Sequence, residues 1–204
     1  PSPVLPPTRS VVVPTLFIGL GGTGRQALYA IHKNLALPTG HENSRLRFLW
    51  LDVDRGETER QRPFAEEESL TWVREVVAPQ TVRQVAQYLP ATNQLPAHLA
   101  WFRPQEYLDA SRATLDLSRG SGGRRALARW ALFQWLSTSS ELGDILIQEI
   151  DALLNKESVD GLRQIVLLAN RTGGIGSGWL IDIARLLRRL TRQKTRPAVS
   201  ETAK

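Results

Sequence analysis

Along the chain, short unbroken apolar runs alternate with longer stretches whose apolar residues recur every three or four positions. Residues 11–18 (Val-Val-Val-Pro-Thr-Leu-Phe-Ile), 46–51 and 164–169 are runs of the first kind. Such runs predict strands buried on both faces. Pro14 interrupts the first one, which places its regular part from Thr15 onward. Helical spacing follows over residues 24–36 (Ala27, Leu28, Ile31, Leu35), from about 124 to 137, and over 142–154. The last helix carries Leu180, Ile183, Ala184, Leu187 and Leu190. Residues 38–43 read as a loop, and Asp160-Gly161 as the turn into the strand at 164.

The middle of the chain carries a weaker pattern. Leu70, Trp72, Val73, Val76 and Val77 predict a helix that stops before Pro79. Val82, Val85, Ala86 and Leu89 predict another, ending at Pro90. Prolines 96 and 104 then bracket irregular structure anchored by Trp101 and Phe102, and residues 114–117 read as a short strand. Residues 62–112 are therefore taken as a helical insertion packed on the core, with a partner-binding lobe as the alternative. Residues 1–10, with four prolines, form an extended tail; 11–192 form the α/β domain; 193–204 form a basic tail. Strands alternating with helices predict a three-layer, Rossmann-like, mostly parallel sheet with helices on both faces.

Composition narrows the function classes. Cysteine is absent, which excludes disulfides and thiolate metal sites, and His32, His41 and His98 lie too far apart for a metal-ligand spacing. No apolar run reaches the roughly 18 residues of a membrane span. The N-terminus lacks the pattern of a secretory signal, so the cytoplasm is the expected compartment. The net charge is +6, with Arg185, Arg188, Arg189, Arg192, Lys194 and Arg196 clustered late. These suit a helix C-terminus, and no aromatic residue interleaves with them, which argues against nucleic acid.

The candidate chemistry lies in three glycine-rich turns, each at the carboxyl end of a predicted strand. They are Gly19-Leu20-Gly21-Gly22-Thr23-Gly24, Gly120-Ser121-Gly122-Gly123 and Thr172-Gly173-Gly174-Ile175-Gly176-Ser177-Gly178. Glycine permits positive φ and leaves backbone N–H groups bare, and a helix start adds unpaired donors. In a parallel sheet these turns and the Asp52/Asp54 pair face one crevice, where ligands bind. The first turn with Asp52 or Asp54 fits a dinucleotide fingerprint, which leaves an NAD(P) domain as one reading. The second helix-start turn suits a phosphate chain held from two sides. The sequence has no Gly-Lys-Ser/Thr, so it is not a P-loop. For each turn the plainer alternative is that the glycines serve only close strand–helix packing. For the two acids it is capping of a turn.

Taken together, Ile18-Gly-Leu-Gly-Gly-Thr-Gly-Arg-Gln-Ala27, Gly120-Ser-Gly-Gly-Arg-Arg-Ala-Leu-Ala-Arg129 and Arg171-Thr-Gly-Gly-Ile-Gly-Ser-Gly178 resemble three nucleotide loops of the tubulin/FtsZ superfamily. The likeness is nearest to bacterial tubulin-like proteins and covers about residues 11–190. It implies a GTPase-type domain that binds GTP or GDP with Mg²⁺. Gly21, Gly22, Thr23 and Gly24 would touch the α/β-phosphates and Gln26 would reach the nucleoside. Asp52 and Asp54 would sit near ribose or a metal-bound water. Gly120, Ser121, Gly122 and Gly123 would approach the γ-phosphate with Arg124 beside them. Thr172, Gly173, Gly174, Ile175, Gly176 and Ser177 would cradle the β/γ-phosphates. Two positions depart from the family pattern: Ile175 stands for a threonine and Thr172 for a glycine, which also fits a scaffold whose site has decayed. The resemblance implies nucleotide-dependent, polymer-forming self-association of a full-length protein. The elements that read guanine and complete hydrolysis are expected beyond this N-terminal half, so no catalytic residue is assigned. Six tryptophans are present, and fluorescence would report binding if Trp130, Trp135 or Trp179 lay by the site.

Overall fold

The computed structural model describes residues 13–35, 45–54, 73–84, 97, 100–103, 117, 120–158 and 161–195. β1 (Thr15–Leu20) leads directly into α1 (Gly21–Asn34), and β2 (Leu46–Asp52) follows. β3 (Arg74–Val77) and a single turn, α2 (Gln80–Gln84), come next. Two helices, α3 (Arg125–Thr138) and α4 (Glu141–Leu154), precede β4 (Gln164–Ala169) and the long α5 (Gly174–Thr195). The four strands form one sheet in the order β3-β2-β1-β4, and every pair is parallel.

Strand alternation divides the apolar residues between two cores. Leu16, Ile18 and Leu20 of β1 and Leu49 and Leu51 of β2 face a large core filled by α3, α4 and α5. Phe48 and Trp50 of β2 face the other side, where Leu28 of α1 covers them and Phe17 packs alongside. Helices therefore lie on both faces, and the fold is the α/β architecture that the alternation predicts. Among the described residues no helix is long and apolar enough to cross a membrane.

Within the helix predicted before Pro79, the described part is instead a strand at the edge of the sheet: Arg74–Val77 pairs with β2 from Leu49↔Arg74 to Asp52↔Val77. Part of the expected insertion thus belongs to the sheet. The strand's first two residues are charged and point to opposite faces, where each meets a helix: Arg74 pairs with Glu149 of α4 and Glu75 with Arg25 of α1. Leu117 lies in a turn closed by the Gly120 N–H on its carbonyl (2.9 Å) rather than in a strand. The helical span of α5 reaches Thr195, into the stretch read as tail. The loop at 38–43, most of the 82–89 helix and residues 114–116 lie outside the described residues.

Long-range polar contacts tie α4 to the sheet. The Glu149 carboxylate, 2% exposed, accepts from Arg47 Nε (2.7 Å) on β2 and from Arg74 (3.1 Å) on β3. Glycine sets the closest approaches. A Cβ on Gly24 would lie 2.7 Å from the Gly19 carbonyl carbon and 2.8 Å from the Leu168 oxygen, so α1 crosses β1 and β4 backbone on backbone. A Cβ on Gly178 would lie 2.7 Å from the Arg125 oxygen, where α5 meets α3. Trp179 seals that crossing by donating its indole N–H to the Ala128 carbonyl (2.6 Å).

Two alanine substitutions in helices should therefore have opposite signs. Helix propensity favours alanine over glycine by about 1 kcal/mol at either position. At Gly143 of α4 nothing lies within 4 Å of an added Cβ, so Gly143→Ala should stabilise by about 0.5–1 kcal/mol. At Gly178 the added methyl meets backbone, and overpacking of about 1–3 kcal/mol should outweigh the propensity gain. Urea unfolding midpoints of the two variants against wild type check both signs.

Candidate nucleotide site

Three strands end side by side, and a cleft of about 200 Å³ opens beyond them. β1 contributes Leu20 and the first turn of α1 at Gly21, Gly22 and Thr23. β2 contributes Asp52 and Asp54, and β4 contributes Asn170 with Gly173, Gly174, Ile175 and Gly176. The turn at 120–123 closes the open side.

Each wall has its own physical reason. Gly21 has φ +71°, which a side chain disfavours, and it starts α1 without a side-chain cap. Gly120, Gly122 and Gly123 likewise have φ of +81°, +58° and +78°. A Cβ on Gly122 or Gly123 would meet nothing within 4 Å, so these two glycines serve conformation rather than packing. Gly174 is the reverse case: its Cβ would fall 1.7 Å from Ser121 Oγ, a distance no side chain survives. Ser121 is 3% exposed and its hydroxyl has no hydrogen-bond partner among the described residues.

The second and third carboxyl ends differ in chemistry. Asp52 Oδ1 accepts the backbone N–H groups of Val53 (2.7 Å) and Asp54 (3.1 Å), so one of its oxygens holds the turn in shape. Asp54 is 6% exposed and faces Gly120 across the cleft. Asn170, which the sequence reading passed over, shapes the turn after β4. Its Oδ1 accepts from the Thr172 N–H (2.9 Å) and the Thr172 hydroxyl (2.8 Å). The signal was present, an Asn directly after an apolar run and two residues before a Thr.

Helix starts supply the electrostatics. The first turns of α1, α3 and α5 contain no acidic residue. The start of α4, which is not part of the cleft, carries Glu141 and Asp144. Donors and positive dipole ends at the cleft are thus left without a neutralising side chain in the helix itself.

Several residues singled out from the sequence stand elsewhere. Gly24 is committed to the crossing with Gly19, and Gln26 is exposed on α1 outside the cleft. Arg124 immediately precedes α3, half-buried, and does not line the cleft. Thr172 is turned onto Asn170, and the Ser177 hydroxyl is bonded to the Gly173 carbonyl. The glycine motif after β4 is not a loop throughout, since Gly174 to Gly178 already form the first turn of α5. Trp130, Trp135 and Trp179 are fully buried in the larger core, away from the lining. Trp50 also lies outside the lining but touches its wall from behind, its indole N–H donating to the Gly21 carbonyl (3.0 Å).

A family model described as tubulin-like matches residues 16–202 of the 204. No curated protein and no solved structure matches the chain. The family match takes in all four strands and every wall of the cleft, and the chain belongs to the tubulin-like family.

Proposed function

We propose that this cleft binds the phosphate chain of a guanine nucleotide, GTP or GDP with Mg²⁺, and that binding supports self-association of the protein. The observation that carries the reading is the convergence of two acid-free, glycine-built helix starts and a third glycine turn on one cleft. Anions bind at such ends through bare N–H groups and the helix dipole. Family membership supports guanine and self-association.

The dimensions fit part of a nucleotide. Whole-ligand pockets usually measure about 300–1,000 Å³. The cleft is smaller, at about 200 Å³, and open. It suits phosphates, with the nucleoside extending past the described walls. The Gly174 position is a cradle that a Cβ would fill, and the buried Ser121 hydroxyl beside it is a donor awaiting an acceptor. In this reading the Gly22 and Thr23 amides hold one end of the phosphate chain. The Gly174, Ile175 and Gly176 amides and Ser121 hold the other.

Two buried carboxylates beside a polyanion repel it unless a cation intervenes. Asp52 and Asp54 supply oxygen ligands, the type Mg²⁺ prefers, and phosphates complete its shell. Among the described residues no set of three acidic or histidine side chains forms a cage, which fits a metal brought in with the nucleotide. Mg²⁺, when bound, would neutralise phosphate charge.

Calorimetry with GTP, GDP, ATP and NADH, each with Mg²⁺, tests the reading. Guanine nucleotides should bind, and Gly174→Val should weaken them at least about 100-fold, because the side chain displaces Ser121 and the turn behind it. Binding of NADH alone, or guanine binding untouched by Gly174→Val, would defeat the proposal. Chelating Mg²⁺ should weaken GTP binding in the wild type, and Asp54→Asn should shrink that metal dependence. Titrations with and without EDTA on both proteins measure the difference.

A further inference from the structure

Behind the first glycine turn, away from the cleft, a tryptophan, an arginine and a glutamate from three different elements form a stack. Trp50 of β2 is fully buried between the sheet and α1. Its only polar atom donates to the Gly21 carbonyl at 3.0 Å. The Arg25 guanidinium of α1 lies over the indole, 5.1 Å from the ring centroid. Glu75 of β3 holds that guanidinium through one oxygen, accepting from Nε (3.2 Å) and Nη2 (3.0 Å). A buried indole N–H takes an acceptor wherever it lies, as Trp179 does with the Ala128 carbonyl; what sets Trp50 apart is that its acceptor belongs to a residue of the cleft wall.

We propose that Trp50 is a positioning residue for the cleft. The peptide between Gly21 and Gly22 is planar and trans, so its C=O and N–H point in opposite directions. Fixing the Gly21 oxygen on Trp50 therefore fixes the Gly22 N–H on the other side, toward the lining to which Gly22 belongs. As the first residue of α1, Gly21 also offers its carbonyl to the helix's own ladder, and the indole adds a second hold from a side chain. At φ +71° it is a glycine with wide conformational freedom, in a helix start that no side chain caps. The Arg25–Glu75 pair clamps the indole from above, so the edge strand β3 is linked to the cleft in three contacts. The inference rests on the nucleotide reading above and adds which side chain preorganises the first turn for it.

The discriminating variant keeps the ring and removes the donor. Replacing Trp50 with benzothienylalanine, in which sulfur stands for the indole N–H, leaves shape and apolar surface nearly unchanged. GTP·Mg²⁺ affinity by calorimetry should fall about tenfold, the scale of one lost hydrogen bond to a group that must be held. The melting temperature without nucleotide should fall by only about 2–5 °C, the cost of one buried hydrogen bond to the fold. Trp50→Phe should show at least the same loss. Glu75→Gln, which leaves the core intact, should weaken binding about two- to fivefold by loosening the Arg25 clamp. In ¹H–¹⁵N spectra of the wild type, the indole N–H peak absent from Trp50→Phe should shift when GTP·Mg²⁺ is added. Tight binding by wild type and benzothienylalanine protein alike, with an unmoved indole peak, would overturn the positioning role and leave the nucleotide site standing. No binding by the wild type itself would overturn the nucleotide reading and this inference with it.

Discussion

The level ending of three parallel strands is the constraint on which the rest depends. β1 pairs with β2 and with β4 without offset, so Leu20 lies opposite both Leu51 and Ala169. Parallel strands all emerge at the same side of a sheet, and equal ends bring their following turns together. The two cores defend this register. A slip of one residue in β4 would turn Ile165, Leu167 and Ala169 away from the larger core and push Leu168 into it. The cleft is thus a by-product of apolar packing some distance from it. Its walls stay put because the cores forbid their supports to slide.

Much of this was legible in the sequence because burial leaves simple patterns. β1, β2 and β4 are unbroken apolar runs, and α4 and α5 repeat apolar residues at helical spacing. β3 was not legible. Val73, Val76 and Val77 are spaced as on a helix, the strand has only four residues, and short runs cannot be told apart by period. What decided it was an unoccupied edge of β2, which only the assembled sheet reveals. Trp50 reads as one more apolar residue of a strand, and the partner of its N–H lies 29 residues away. Asn170 was readable in principle, since its work is done within two residues.

The cleft itself is a division of labour between backbone and side chains. Donors come from glycine turns and helix starts, which need no side chain and leave little to vary. Side chains hold the turns: Asp52 its own and Asn170 that of Thr172 from within the lining, and Trp50 that of Gly21 from behind. A site assembled in this way is preorganised where the phosphates would lie, because the turns after β1, β2 and β4 are each fixed by a side-chain bond.

The glycines that make the motif recognisable are of two kinds, and the difference bears on how such sequences are scanned. Gly19, Gly24 and Gly178 are held by neighbouring backbone, so a chain that abandoned every ligand would still have to keep them in order to fold. Gly122 and Gly123 face open space at positive φ and answer only to the shape of the turn. In the spacing G-x-G-x-x-G the first and last glycines are, in this domain, the architectural ones. A homologue that has lost its ligand would still keep both. The informative positions for sorting live sites from relics are Gly122 and Gly123, which no packing demands.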